Sequence, residues 1–357
     1  MENKNKNKNK NKKRVFHFLN TGNYSGAENV VVNIAQLVNN YDHVYVSPDG
    51  AINEILSNNN ISHISISKLS FLNYLHIVNK YKPDIVHSHD FKASIIAGIL
   101  SSKVTGYGGK VIAQLHKNDL RMTKLSVLSI VFCLILKRFS KVIVVSQSVV
   151  NEYIFKEKLK KKAVTVNNVV NFEKIKRESL RFVVDNYDIV YVARMSDEKG
   201  PLKFLDIIEQ VNQRKAVKVV WVGDGGMLDI VKNTIELKHL KNVIQLAGFQ
   251  SNPYPYITNS KIAILTSKYE GFGLSALEAQ LLGKPVVSTN VGGIGAILTK
   301  DTGLLTNSDD EFVDEIIRLL NNQQYYLFKQ ENAKKRSKKI NDISKYIKKF
   351  NKIYEES

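Results

Sequence analysis

The sequence predicts an α/β protein of two doubly wound domains, each a parallel sheet covered by helices, facing a central cleft. Three observations carry this expectation. Short apolar runs without strict alternation recur along the chain, the pattern of strands buried on both faces. Helical segments lie between them. The series occurs twice, on either side of a polar stretch from Asn171 to Arg181, and 357 residues suit two domains at ~150 residues each. Ligands of such sheets bind at the carboxyl ends of the strands.

The chain opens on a basic tail, residues 1–14. Lys4, Lys6, Lys8, Lys10, Lys12, Lys13 and Arg14 stand against only Glu2 and alternate with asparagine. With no apolar side chain between Met1 and Val15, this stretch buries nothing and is expected to be disordered. It lacks the apolar middle region of a secretory signal.

Val15–Leu19 follows as a strand, then a loop over Asn20–Tyr24. Ser25-Gly26-Ala27-Glu28 has capping-box spacing and starts a helix running through Val38. Further strands are expected at Val44–Val46, Ile64–Ile66, Ile85–His87, Val111–Gln114 and Val142–Val145, with helices such as Phe71–Tyr81 and Phe91–Leu100 between them. Leu125–Leu136 is the longest apolar stretch, bracketed by Arg121, Lys124, Lys137 and Arg138. A membrane span needs roughly 20 residues, so this is a buried or interfacial helix. The second series has strands at Ile189–Ala193, Val217–Val222, Val243–Leu246, Ile262–Thr266 and Pro285–Ser288, and Gly283-Lys284-Pro285 stops a helix sharply. The last segment, rich in Lys and Tyr, is helical, and its docking on the first domain is left open.

Lys and Arg number 52 against 33 Asp and Glu, a net charge of +19 that favours anionic partners. Nucleic-acid binding would need basic residues interleaved with stacking aromatics on one face, and no such organisation stands out, so nucleic acid is not an expected partner. The single cysteine, Cys133, excludes an intramolecular disulfide framework or a cysteine-cluster zinc site and fits a reducing compartment. His87 and His89 sit at alternate positions of one strand and so share a face. No further His, Cys or carboxylate cluster completes a set in sequence, and no metal is expected.

The most informative segment is Glu270-Gly271-Phe272-Gly273-Leu274-Ser275-Ala276-Leu277-Glu278, placed after a buried strand and opening a helix. Glycines there let backbone approach a ligand, and the first free amides, from about Leu274, make an anion site. Glu278 lies one turn inside the helix and Glu270 just ahead of it, a spacing at which two carboxylates grip separate hydroxyls of one ligand with its phosphates between them.

This segment resembles the Glu-x7-Glu motif of retaining glycosyltransferases of the GT-B fold, specifically glycosyltransferase family 4. The resemblance extends through the glycine loop after the first strand, Asp84-Ile85-Val86-His87-Ser88-His89 and Val142–Ser146. It continues through Ala193-Arg194-Met195-Ser196-Asp197-Glu198-Lys199-Gly200, Val222-Gly223-Asp224-Gly225 and Gly283–Thr289. It implies two Rossmann-like domains: an acceptor-side domain over 15–175, a donor-binding domain over 176–340, and a C-terminal helix over 341–357. It assigns Arg194 and Lys199 to the donor diphosphate, Glu278 to ribose hydroxyls and Glu270 to donor-sugar hydroxyls. Gly223, Gly271, Phe272, Gly273 and Leu274 fall among the donor-binding residues. Gly22 and Gly26 lie in the loop that approaches the diphosphate from the first domain, and His116, counted with Glu270, Arg194 and Lys199 as catalytic, sits near the donor sugar to hydrogen-bond it and stabilise developing positive charge. Two departures stand out: Ser25-Gly26 where the family commonly has paired glycines, and Ala296 where it often has glutamate.

The resemblance implies a metal-independent retaining transferase that uses a nucleoside-diphosphate sugar, with UDP as the commonest base, as co-substrate and needs no other cofactor. The expected acceptor is a saccharide or lipid-linked saccharide of surface polysaccharide or glycolipid synthesis. The expected location is cytoplasmic, with peripheral contact to anionic lipid at the inner membrane face. Two rival readings are a sugar-nucleotide epimerase of the same architecture and a non-catalytic basic membrane- or nucleic-acid-binding protein on a transferase scaffold.

Overall fold

The computed structural model describes residues 12–117 and 119–356. Most of the basic tail, residues 1–11, lies outside the described residues. The chain forms two compact units, the first running to Asn168 and resuming at Ile343, the second spanning Val169–Asp342.

The first unit holds seven parallel strands: β1 (Arg14–Phe18), β2 (Asp42–Ser47), β3 (Ser62–Ser65), β4 (Ile85–His89), β5 (Lys110–Leu115), β6 (Lys141–Val144) and β7 (Ala163–Thr165). Their order is β3-β2-β1-β4-β5-β6-β7, so the winding reverses between β1 and β4. β1 and β4 are buried because their apolar residues are nearly continuous, Val15, Phe16, Phe18, Ile85 and Val86 all being at most 2% exposed. β7, which the sequence reading did not include, has only three residues, and none is fully buried.

The second unit has six parallel strands: β8 (Tyr187–Val192), β9 (Val219–Val222), β10 (Ile244–Gly248), β11 (Ser260–Leu265), β12 (Val286–Ser288) and β13 (Gly303–Leu305). The order β10-β9-β8-β11-β12-β13 reverses between β8 and β11. Its core is anchored on three large rings. Tyr191 stacks on Phe204 at 4.3 Å, and Trp221 lies 4.9 Å from both. Trp221 also donates its indole N–H to the Ala193 carbonyl at 3.0 Å, which fixes the chain leaving β8.

Two helices have a bearing on function. The apolar stretch after Lys124 is a helix over Val127–Ile135, capped by Ser126. It is neither wholly core nor wholly surface: Phe132 and Ile135 are buried, while Leu125, Val127, Ile130 and Leu134 point outward at 67%, 80%, 42% and 66% exposure. The C-terminal helix Ile343–Glu356 belongs to the first unit and buries Tyr346, Phe350, Ile353 and Tyr354, an i, i+4, i+7, i+8 stripe. Among the described residues no helix is long and apolar enough to cross a membrane.

Candidate active site

In the second unit, the chain leaving β8 enters a turn over Asp197–Lys199 and then the helix Pro201–Arg214. The turn is held from below: Thr266, just past β11, bonds the Lys199 and Gly200 carbonyls at 3.0 Å each, and the Tyr191 hydroxyl donates to the Lys199 carbonyl. The adjacency of β8 and β11 therefore sets the height of Lys199, whose ammonium lies 2.6 Å from Oε2 of Glu270. The pair is half-buried, at 24% and 14% side-chain exposure. Arg194 instead reaches one turn forward, to Glu198 at 2.7 Å. Both cations expected at a diphosphate thus already carry a carboxylate partner.

Glu270 is positioned by backbone contact. A turn over Gly292–Ala296 packs on it, and the Gly293 amide donates to the Glu270 carbonyl at 3.2 Å. At Gly292, φ is 54° and an added Cβ would lie 1.6 Å from that carbonyl oxygen, so no side chain fits there. Ala296 is exposed, and its carbonyl accepts from Arg336 at 2.9 Å.

The helix Leu274–Leu281 starts at Gly273, whose carbonyl accepts from the Ala276 and Leu277 amides at 3.1 Å. Its leading amides at Leu274 and Ser275 precede the first turn, where a helix leaves donors unpaired within itself. Gly271 and Phe272 are buried, so what this loop can present to a ligand is backbone rather than the Phe272 ring. Glu278 is 7% exposed and accepts from the Tyr254 hydroxyl at 3.3 Å. Burial pushes its carboxyl up to about 7, partly offset by that hydrogen bond. Gly223 packs on the segment leaving β8: an added Cβ would lie 2.1 Å from the Ala193 carbonyl oxygen, so its first duty is to shape the Arg194 segment.

The first unit holds the other candidates. Gly22 packs against the Asp49 carbonyl, where an added Cβ would lie at 2.2 Å, and accepts from the Ile52 amide at 2.9 Å. Gly26, the first residue of the helix Gly26–Leu37, has nothing within 4 Å of an added Cβ and so is the open glycine of this loop. Glu28 accepts from the Ser25 amide at 3.1 Å and its hydroxyl at 2.5 Å, the capping box its spacing suggests.

His116 follows β5 and stands at the end of a line of imidazoles. His43 Nδ1 lies 2.9 Å from His17 Nε2, His17 Nδ1 3.0 Å from His89 Nε2, and His89 Nδ1 2.9 Å from His116 Nε2. His87 bonds Tyr354 of the C-terminal helix at 2.9 Å. The third histidine that the sequence reading found missing beside His87 and His89 is His17: one ring nitrogen from each lies within 4.8 Å of the others. The register of β1 on β4 pairs His17 with His87, a neighbourhood invisible from spacing alone. His17 and His89, however, already commit both ring nitrogens to other rings, so a cation there would have to break those bonds. Burial holds His17, His87 and His89 neutral, well below the ordinary imidazole range, and lowers His43 and His116 as well.

Sequence reasoning did not single out His17, His43, Tyr254 or Thr266, and quoted Glu198 and Gly292 only as members of longer motifs. Glu198 lies four residues from Arg194 and so carried a local signal; the others act through neighbours far off in sequence.

The model of the family described as Glycosyltransferase Family 4 matches residues 24–174, and that described as Glycosyl transferases group 1 matches 172–340. An uncharacterized glycosyltransferase of Methanocaldococcus jannaschii is 28% identical over 315 residues, 83% of this chain and 84% of that protein. The UDP-Gal:α-D-GlcNAc-diphosphoundecaprenol α-1,3-galactosyltransferase of Escherichia coli is 24% identical over 289 residues, 73% of this chain and 72% of that one. Among solved structures, Anabaena HepE in complex with UDP and glucose superposes with a TM-score of 0.82 at 20% identity, over 95% of this chain and 98% of that one.

Proposed function

This chain belongs to the GT-B glycosyltransferases of family 4, and on that premise we propose that it transfers a sugar from UDP-sugar with retention of anomeric configuration. The observation that carries the reading is the grouping of Lys199, Glu270 and the amide end of the helix Leu274–Leu281 at the point where the second sheet reverses, with Glu278 inside that helix. Lys199, Arg194 and the helix amides take the negative charge that builds on the departing diphosphate. Glu278 accepts from the ribose hydroxyls. Glu270 binds sugar hydroxyls and stabilises an oxocarbenium-like transition state electrostatically, while the acceptor hydroxyl attacks from the face the diphosphate leaves. No protein-bound metal is assigned a role.

The acceptor we infer is a lipid-linked saccharide of surface polysaccharide or glycolipid synthesis. The E. coli relative supports this class by its acceptor, a diphosphoundecaprenol-linked sugar. The outward row Leu125, Val127, Ile130 and Leu134, flanked by Arg121, Lys124, Lys137 and Arg138, suits a peripheral position on an anionic membrane.

A thermal-shift panel of nucleoside diphosphates and UDP-sugars tests the donor, because a ligand of the native state alone must raise the apparent stability. UDP and one UDP-sugar are expected to raise Tm. No shift with any nucleotide would overturn the reading.

A further inference from the structure

We propose that His43, His17 and His89 are positioning residues that lock His116 as a neutral ring with Nδ1 bare, so that it takes a hydroxyl, a hydrogen-bond donor, from a bound sugar. The inference rests on the transferase reading for the identity of that ligand, and on geometry alone for the polarity.

The polarity begins at a backbone carbonyl. His43 Nε2 lies 2.9 Å from the Val38 oxygen, which can only accept, so the proton of the neutral ring is on Nε2 and Nδ1 is a lone pair. His17 Nε2 must then donate to His43 Nδ1, which leaves His17 Nδ1 bare. By the same rule His89 Nε2 donates to His17 Nδ1, and His116 Nε2 donates to His89 Nδ1. One carbonyl thereby sets four tautomers. The line ends on His116 Nδ1, a buried atom with no hydrogen-bond partner among the described residues. A buried acceptor left unpaired is costly unless a ligand completes it.

The spacing is regular, as one continuous line requires. Neighbouring rings from His43 to His116 are 5.1, 5.2 and 5.2 Å apart with interplanar angles of 27° to 29°. Burial disfavours charge on every ring. Of the flanking groups, Asp90 acts on His116, Asp42 and Lys12 act on His43 with opposite sign, and His87 adjoins both His17 and His89. Beside the line, His87 packs against His17 and His89 and bonds Tyr354 of the C-terminal helix, and Tyr41 packs edge-on against both Tyr354 and His43. The ligand class follows from chemistry: a hydroxyl donates into Nδ1, whereas a carboxylate at that position, as on a uronic acid, is repelled.

Long-range proton–nitrogen NMR on the full chain labelled with ¹⁵N-histidine reads the tautomers directly at pH 7.5. Four neutral Nε2–H rings are expected, with the His116 Nδ1 resonance moving when UDP-sugar is added. An Nδ1–H tautomer or an imidazolium at any of the four overturns the proposal, as does stoichiometric Zn²⁺ uptake that abolishes the ring-to-ring bonds. His43→Phe removes the anchor. KM for UDP-sugar is expected to rise about fivefold, the scale of one hydrogen bond, with UDP affinity unchanged and kcat little altered. A KM within twofold of the native value, or an equal loss of UDP affinity, counts against positioning. Should that variant fail to fold, the native-chain spectrum still decides. The tautomer pattern without any sugar-nucleotide binding would sink the transferase reading and leave the lock standing.

Discussion

The ammonium of Lys199 sits 2.6 Å from the carboxylate of Glu270, across 71 residues of sequence, so the cation assigned to the diphosphate waits on the residue assigned to the sugar. On the proposed function, donor binding would share or part this ion pair. Glu270→Ala is therefore expected to lower kcat by ~100-fold or more, the scale of losing one preorganised electrostatic group, while UDP affinity holds or rises as Lys199 is released. Steady-state kinetics and calorimetry with UDP check this. Near-normal turnover would remove Glu270 from the chemistry, and lost UDP affinity would mean that the pair supports the site instead of gating it.

Glu278 should make nucleotide binding depend on pH. Its carboxyl stands at about 7 in the folded chain, raised by burial. Only the ionised form accepts from two ribose hydroxyls without giving up an oxygen, so UDP affinity is expected to increase as pH rises through 7. Stability runs the other way: a carboxyl raised above its unfolded value favours folding at low pH, and that contribution is lost between about 4.5 and 7. Glu278→Gln should thus lose UDP binding yet gain ~2–3 kcal/mol of stability above pH 7. A variant less stable than the native chain at pH 8 would show that Tyr254 needs the charge.

Much of this site is legible in the sequence because its pieces are local. Glu270, Gly273 and Glu278 lie on one strand-to-helix connection, and Arg194 to Gly200 on another, so each group stands out as a motif, and the resemblance these motifs carry supplies their expected roles. The meeting of those two connections is not local. Lys199 reaches Glu270 because β8 lies beside β11, which follows it only after β9 and β10. His17 joins His87 for the same reason, since β4 comes to β1 after two intervening strands. The stripe Tyr346, Phe350, Ile353 and Tyr354 announces a buried helix face, but periodicity does not name the sheet it covers; the His87 to Tyr354 bond does. β13, like β7, has three residues and too little pattern to register.

The two units should part in their response to acid. Buried His17, His87 and His89 sit well below the imidazole value of 6.5, so the stability they contribute is present above 6.5 and falls as pH drops below it. Each ring costs up to about 1.4 kcal/mol per pH unit, because the unfolded chain takes the proton that the folded one refuses. Glu278, in the second unit, gains over the same interval. The only tryptophan, Trp221, reports the second unit, whereas circular dichroism reports both. Between pH 7.5 and 5.5 the dichroism transition is expected to move to lower temperature while the fluorescence transition moves less. Coincident shifts would mean that the histidine line does not control the first unit.

The apolar row on the helix Val127–Ile135 offers a separable test of membrane contact. Val127 at 80% and Leu134 at 66% exposure leave most of their surface outside the core, so charged replacements cost little stability, ~0.5 kcal/mol at most on the scale of surface substitutions. Phe132 and Ile135, one step round the helix, face inward and would not tolerate the same change. If the row inserts at a lipid surface, burial of its side chains and attraction of Arg121, Lys124, Lys137 and Arg138 to anionic headgroups act together. Val127→Asp with Leu134→Asp is then expected to abolish flotation with anionic vesicles at low salt while Tm and turnover on a soluble acceptor stay near native. Salt should weaken the native interaction by screening the basic flank, leaving the apolar contribution. Undiminished flotation of the double variant, or equal recovery of the native chain with neutral and anionic vesicles, would assign the row to some other partner.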